Sequence, residues 1–281
     1  MVRPTSATAR DEPAAILAGG VAIGSGTFTL IARSPAGGGV DAVEEAAGLS
    51  LQARAGLLDI GRAWEALGIA AVAACERASG LPTVCAVSEP GEVAAVAEVA
   101  GMLRVPADAP AGDPLARALG RAGCPVLLER GPVGIQVWLR AAERIAQEGG
   151  QVVLCAAGGG PAAVPGTEVM TAGAPGLDLA AVPSLRAASG LPLVVDASGV
   201  ERGHHNAAAL VRAAAAVCAD GVVVGVDPRP GAAAGQPAGM AAEELDGLAS
   251  ELEAVTAAVG RRMAGRRIRY VGGSARRWRR P

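Results

Sequence analysis

The stretch from Cys124 to Cys155, CPVLLERGPVGIQVWLRAAERIAQEGGQVVLC, limits the possible folds of this chain more than any other. An apolar run, Pro125 to Leu128, ends at Glu129, Arg130 and a Gly131-Pro132 breaker. Ile135, Trp138, Leu139, Ala142 and Ile145 then recur at helical spacing until Gly149-Gly150 stops the pattern, and a second apolar run follows from Val152 to Cys155. Strand, helix and parallel strand make a βαβ unit. Both strands are apolar on consecutive residues, which a strand covered on both faces requires. Polar residues appear where the first strand stops, the end at which α/β folds bind ligands.

The same alternation extends along the chain. Strands are expected at Phe28–Ala32, Ser50–Ala53, Thr83–Val87, Met102–Val105, Pro125–Arg130, Val152–Cys155, Leu193–Asp196 and Val222–Val226. Helical patterns separate them at Val40–Ala47, Ala66–Ala78, Gly91–Ala100, Pro114–Ala122, Ile135–Gln147, Leu179–Ala188, Ala207–Ala219 and Ala241–Val259. Eight such pairs predict an α/β chain folded as a (β/α)8 TIM barrel, with a doubly wound open sheet as the alternative. Glycine pairs in AAILAGGVAIGSG predict an N-terminal β-hairpin plugging the barrel. Residues 1–13 read as a flexible leader, 14–260 as the barrel and 261–281 as an arginine-rich tail. The longest irregular piece, Ala156 to Gly176, follows the sixth strand.

Composition removes several functions. The chain has no lysine, and all 25 of its Lys+Arg positions are arginine. A Schiff-base aldolase, a pyridoxal-phosphate enzyme and a Walker-type phosphate loop each need a lysine amine, so those classes are excluded. No apolar run approaches the roughly 20 residues of a membrane helix, and no signal peptide is visible, so a cytoplasmic protein without membrane contact is expected. The five cysteines lack metal spacing and read as free thiols. Nine arginines lie in residues 261–281 with no acid, leaving 16 against 27 acids before them. Aromatic residues are scarce there, so docking on the acidic body or a contact between copies is expected rather than nucleic-acid binding.

Candidate site residues follow from the strand ends. Asp196 and Glu129 are the acid–base candidates, and Arg130, Ser198, Arg33, Arg54, Arg104 and Cys155 the candidates for substrate binding. Arg130 with Glu129 reads equally as an anion site or a rim ion pair, and Asp196 equally as a catalytic group or an acceptor of turn N–H groups. His204-His205, the only histidines, read as residues at a helix start. Gly158-Gly159-Gly160 reads as a loop rather than a phosphate cradle.

Several blocks, in order, resemble a known family: GTFTLIA, GLPTVCAVSEPGEVAAVAEVAGMLRV, GCPVLLERG, WLRAAERIAQEGGQVVLC, GLDLAAVPSLRAASGLPLVVDAS and ADGVVVGVDPRP. They are similar to the strands and helices of 3-deoxy-7-phosphoheptulonate (DAHP) synthase in its short type Iβ form, across residues 20 to 260. The resemblance implies a TIM barrel. It also implies condensation of phosphoenolpyruvate with erythrose 4-phosphate on a divalent metal, at the start of the shikimate pathway.

The family's site residues do not carry over. Its metal-binding Cys, His, Glu and Asp fall at Pro35, Gly199, Gly225 and near Gly235, none of which offers a donor side chain. The lysine of its LLKRG is Glu129, and the Glu-Arg pair of its CERG is Ala156 and Ala157. The KPRTS loop after its second strand corresponds to LLDIGR, and its GARN to PADA. Arg130, Asp196 and Ser198 match. No metal and no cofactor is therefore expected.

Three functions remain: a metal-independent small-molecule enzyme of specialised, shikimate-linked metabolism with a roomier, more apolar mouth; a pseudoenzyme that regulates or stabilises a pathway-enzyme partner; and an active synthase. A homo-oligomer is expected, and any ligand is expected to enter at the carboxyl ends of the strands, between Arg130 and Asp196.

Overall fold

The computed structural model describes residues 13–35, 40–109, 112–131, 133–157, 179–198, 204–227 and 239–264. Within them a hairpin, β1 (Ile16–Ala18) and β2 (Val21–Ile23), precedes eight parallel barrel strands. These are β3 (Thr27–Arg33), β4 (Leu57–Gly61), β5 (Thr83–Ala86), β6 (Met102–Val105), β7 (Val126–Glu129), β8 (Val152–Ala157), β9 (Leu193–Asp196) and β10 (Gly221–Gly225). Each pairs with the next, and β10 pairs back onto β3, which closes the barrel. Closure needs Gly221, because a Cβ there would lie 2.5 Å from the Thr29 carbonyl oxygen. The open-sheet alternative is thereby excluded.

The connecting helices are α1 (Val40–Gln52), α2 (Ala63–Leu67), α3 (Ile69–Ser79), α4 (Pro90–Ala97), α5 (Asp113–Arg121), α6 (Ile135–Gln147), α7 (Val182–Ser189), α8 (His204–Ala216) and α9 (Ala242–Ala258). A last short strand, β11 (Arg262–Ala264), pairs with the start of β3. The βαβ unit from Cys124 to Cys155 forms as expected, with α6 at the predicted bounds.

Strand alternation divides the core into two regions. Leu30, Leu58, Leu103, Leu128 and Val195 face outward and pack with the helices, Trp138 and Ile145 of α6 among them. Ile31, Leu57, Val84, Met102, Leu127, Val153, Val194 and Val223, one per strand, face inward. Ile16, Ala18, Val21 and Ile23 of the hairpin join this inner cluster, so the hairpin plugs the barrel below it. Removing each of its larger apolar side chains from water contributes about 1.5–3 kcal/mol. The hairpin turns at Gly19-Gly20, whose φ angles of +54° and +89° suit glycine.

One expected strand is absent. Ser50–Ala53 does not extend the sheet: α1 runs on through Gln52, burying Val43, Ala46, Ala47 and Ser50 at helical spacing. The Ser50 hydroxyl donates to the Ala46 carbonyl at 2.6 Å, which lets a polar residue sit on the buried face. The second barrel strand is instead Leu57–Gly61, the segment expected to be a loop. The leader to residue 12, residues 158–178 and residues 265–281 lie outside the described residues. Among the described residues no helix is long and apolar enough to cross a membrane.

Candidate functional site

Two residues beyond the inner apolar layer, each strand presents one more inward position: Arg33, Asp59, Ala86, Arg104, Glu129, Cys155, Asp196 and Gly225. Five of these eight carry charge, and they lie at the carboxyl ends of the strands. Ion pairing joins all five. Arg33 Nε donates to Asp59 Oδ2 at 2.7 Å, and Nη2 to Glu129 Oε1 at 2.7 Å. Its Nη1 donates to Asp196 Oδ2 at 2.7 Å and to Ser198 Oγ at 2.9 Å. Four of the five guanidinium N–H groups are thus used.

Arg104 completes the ring. Its Nη1 donates to Glu129 Oε1 at 2.9 Å, and its Nε lies 3.2 Å from Asp59 Oδ2. That Nε is buried and poorly aligned, so it makes no hydrogen bond. The carboxylates have further partners in the backbone. Glu129 Oε2 accepts from the Ala107 N–H at 3.1 Å, Asp59 Oδ1 from Gly61 at 2.9 Å, and Asp196 Oδ1 from Ser198 N–H at 2.8 Å and Oγ at 2.6 Å. Gly131 lets the Ala107 turn come this close, since a Cβ there would lie 2.1 Å from the Ala107 carbonyl oxygen.

The electrostatics follow from burial and partners. Burial opposes the charge on Asp59, which is fully buried, but Arg104 and Arg33 outweigh it and hold its pKa below the ordinary carboxylate value. Burial likewise opposes the charge on Arg33, and Asp59, Asp196 and Glu129 reverse the effect, so it stays protonated. Cys155, also fully buried, is pushed well above the ordinary thiol range by burial first and by Asp196 and Glu129 next. Two guanidiniums against three carboxylates leave a formal charge of −1.

The structure therefore brings together Arg33, Arg104, Glu129, Asp196, Ser198 and Cys155 from the expected set. It leaves out two. Arg54 was expected at a strand end, but it follows α1 and precedes β4, at the opposite end of the barrel, where it pairs with Glu253 of α9. Arg130 follows Glu129 on the strand parity of Val126 and Leu128. It is half-buried, and among the described residues its side chain makes no hydrogen bond or ion pair. It does not meet Asp196 across the mouth; Arg33 does.

Asp59 was missed. Its signal was an acid two residues after Leu57 inside an otherwise apolar run, the alternation of an inward-facing strand position. Cys85 belongs to the helix-facing core. His204 and His205 open α8, and nothing is described of their side chains.

Comparison with known proteins agrees with this architecture. The profile of the DAHP synthetase I family matches residues 51–260. No curated protein matches the sequence. Among solved structures, phospho-2-dehydro-3-deoxyheptonate aldolase (DAHP synthase) from Thermotoga maritima is similar at a TM-score of 0.79 and 27% identity, over 90% of this chain and 76% of that one. A truncated 3-deoxy-D-arabino-heptulosonate 7-phosphate synthase from the same organism gives 0.78 and 28%, over 90% and 96%. The profile runs from the end of α1 beyond the end of α9, more than half of the chain, and so the protein belongs to the DAHP synthetase I family.

Proposed function

We propose that this chain is a non-catalytic member of its family, which has given up the metal-dependent condensation and acts through a partner enzyme. The engagement of four of the five Arg33 N–H groups by Asp59, Glu129, Asp196 and Ser198 carries this reading. A general base needs a lone pair facing its substrate. Here both oxygens of Glu129 and both of Asp196 already accept hydrogen bonds from the protein. An anion-binding arginine needs free donors, and Arg33 has one left. Glu129 also puts a carboxylate where the resemblance places a lysine for phosphoenolpyruvate.

The residues at the family's metal positions do not fit a metal. Pro35, Gly199, Gly225 and Gly235 carry no oxygen, nitrogen or sulfur donor in their side chains. Room is not the reason at Gly225: an added Cβ would meet Gly239 Cα at 3.5 Å and Ser198 Cβ at 3.7 Å, both ordinary contacts. The expectation of a more apolar mouth also gives way, since the described part of the mouth is a charged layer.

One observation favours the second reading, a metal-independent enzyme for a small molecule. Arg104 Nε is buried without a hydrogen-bond partner, and a ligand oxygen near Asp59 and Gly61 would satisfy it. Calorimetric titration with phosphoenolpyruvate, and affinity capture from the native cell, separate the readings. No heat of binding together with specific capture of a shikimate-pathway enzyme is the expected outcome. Saturable binding abolished by Arg104→Met would favour the enzyme instead.

A further inference from the structure

The last described residues fix where the arginine-rich end of the chain begins. Arg261 is buried, and its Nη2 donates at 2.6 Å to Oδ1 of Asp220, a carboxylate that solvent does not reach. Its Nη1 donates to the Cys218 carbonyl at 3.0 Å, and the Arg262 N–H to the Gly26 carbonyl at 3.1 Å. β11 then runs beside the start of β3 and brings Ala264 next to Gly56, where an added Cβ would lie 3.4 Å from the Ala264 carbonyl oxygen. The neighbouring Ala55 N–H bonds back to the Ser50 carbonyl of α1 at 2.8 Å. Residue 265 therefore starts at the floor of the barrel, beside the carboxyl end of α1.

That helix has an open face. Asp41, Glu44, Gly48, Leu51 and Gln52 lie along its exposed side, and neither acid makes an ion pair among the described residues. Nothing stands within 4 Å of a Cβ added to Gly48, so the middle of the face is low and unobstructed. The last turn of α1 carries no basic residue to offset the negative end of its dipole. Residues 265–281 hold seven arginines and no acid.

We propose that residues 265–281 dock on α1 of their own chain, their arginines set against Asp41, Glu44 and the carboxyl end of the helix, as a strap from the barrel floor toward the mouth. Length permits it: 17 residues span up to about 55 Å, and the 13 residues of α1 about 20 Å. Attachment at Ala264 favours the chain's own helix over that of a second copy, because a short tether holds the effective concentration near the millimolar range. Attraction between exposed charges is screened by salt, so the strap is held at low ionic strength and released at high. A stronger polyanion would compete for the same arginines. The strap is independent of the chemistry at the mouth.

Hydrogen exchange read by mass spectrometry tests it on three full-length proteins, at roughly 20 mM and 500 mM salt. The first is the native chain. In the second, Arg266, Arg267, Arg269, Arg276, Arg277, Arg279 and Arg280 are all changed to Gln, which leaves Arg261 and Arg262 in place. The third is Asp41→Asn/Glu44→Gln. In the native chain the amides of α1 and of residues 265–281 are expected to exchange severalfold more slowly at low salt than at high salt, unchanged on dilution. Both variants are expected to lose that salt dependence. Equal exchange of α1 in the native chain and the glutamine variant overturns the strap. Protection that fades on dilution assigns the contact to a second copy and overturns docking in cis. Protection that survives Asp41→Asn/Glu44→Gln overturns α1 as its seat.

Discussion

Arg33 and Asp59 are register partners on the first two barrel strands, and their side chains meet inside the barrel at 2.7 Å. The contact ties the end of β3 to a carboxylate that water does not reach. Burying two charges has a large desolvation cost, so the pair is not expected to out-stabilise an apolar replacement of equal shape. Breaking it from one side is another matter. Arg33→Met leaves Asp59 and Glu129 with Arg104 alone and Asp196 with no guanidinium, and should destabilise the fold by about 3–5 kcal/mol. A urea-unfolding cycle with Arg33→Met, Asp59→Asn and the double variant should show strong coupling, the double variant losing less than the sum. Additivity would mean that the two residues do not act together.

Asp59 also gives the fold a signature in acid. A folded pKa below the ordinary value contributes stability that is complete above the unfolded value, about 4, and is lost as the pH falls through the folded one. The urea midpoint should therefore fall steeply below about pH 4. Asp59→Asn should start lower at neutral pH and decline less in acid. Equal acid slopes for the two proteins would assign the loss to other groups.

The barrel was legible from Cys124 to Cys155 because helix and strands there are bounded by glycine and are apolar at their own periods. The second strand was not. In LLDIG the acid breaks the apolar run, and only cross-barrel partners, absent from any local pattern, show that Asp59 faces inward. Ser50 misled in the other direction, because its bond to Ala46 conceals a hydroxyl on the buried face of α1. Arg54 was misassigned as a consequence. The resemblance named the positions at which the family carries its ligands but gave no hint that an arginine fills the middle of the mouth.

The thiols should react in the order of their environments. Burial raises Cys85 to about 12 and Cys124 to about 11, and raises Cys155 well above the ordinary thiol range, whereas Cys218 is half-exposed. Each unit of pKa removes about tenfold of the reactive thiolate. Iodoacetamide labelling of the native chain, read by mass spectrometry, should modify Cys218 first and Cys155 only on unfolding. The same raised values hold stability fully below the unfolded thiol pKa, about 8.5, and lose it as the pH rises toward the folded ones. Early labelling of Cys155 would contradict its burial.

Asp196 and Arg130 should separate in a stability measurement. Asp196→Asn removes the charge facing Arg33 and weakens an acceptor of both Ser198 donors, so its thermal midpoint should drop clearly. Arg130→Ala removes a side chain without such partners and should change stability by no more than about 0.5 kcal/mol. Equal effects would mean that the two residues share a structural role that the contacts do not show.

The most direct measurement is a condensation assay on the purified full-length chain, with phosphoenolpyruvate, erythrose 4-phosphate and added Mn2+, following phosphoenolpyruvate loss and heptulosonate formation. With Arg33 held by three acids and Glu129 at the lysine position, neither substrate loss nor product above the protein-free control is expected. Chelator-sensitive turnover that scales with protein concentration would contradict the closed mouth and return the chain to the synthases it resembles.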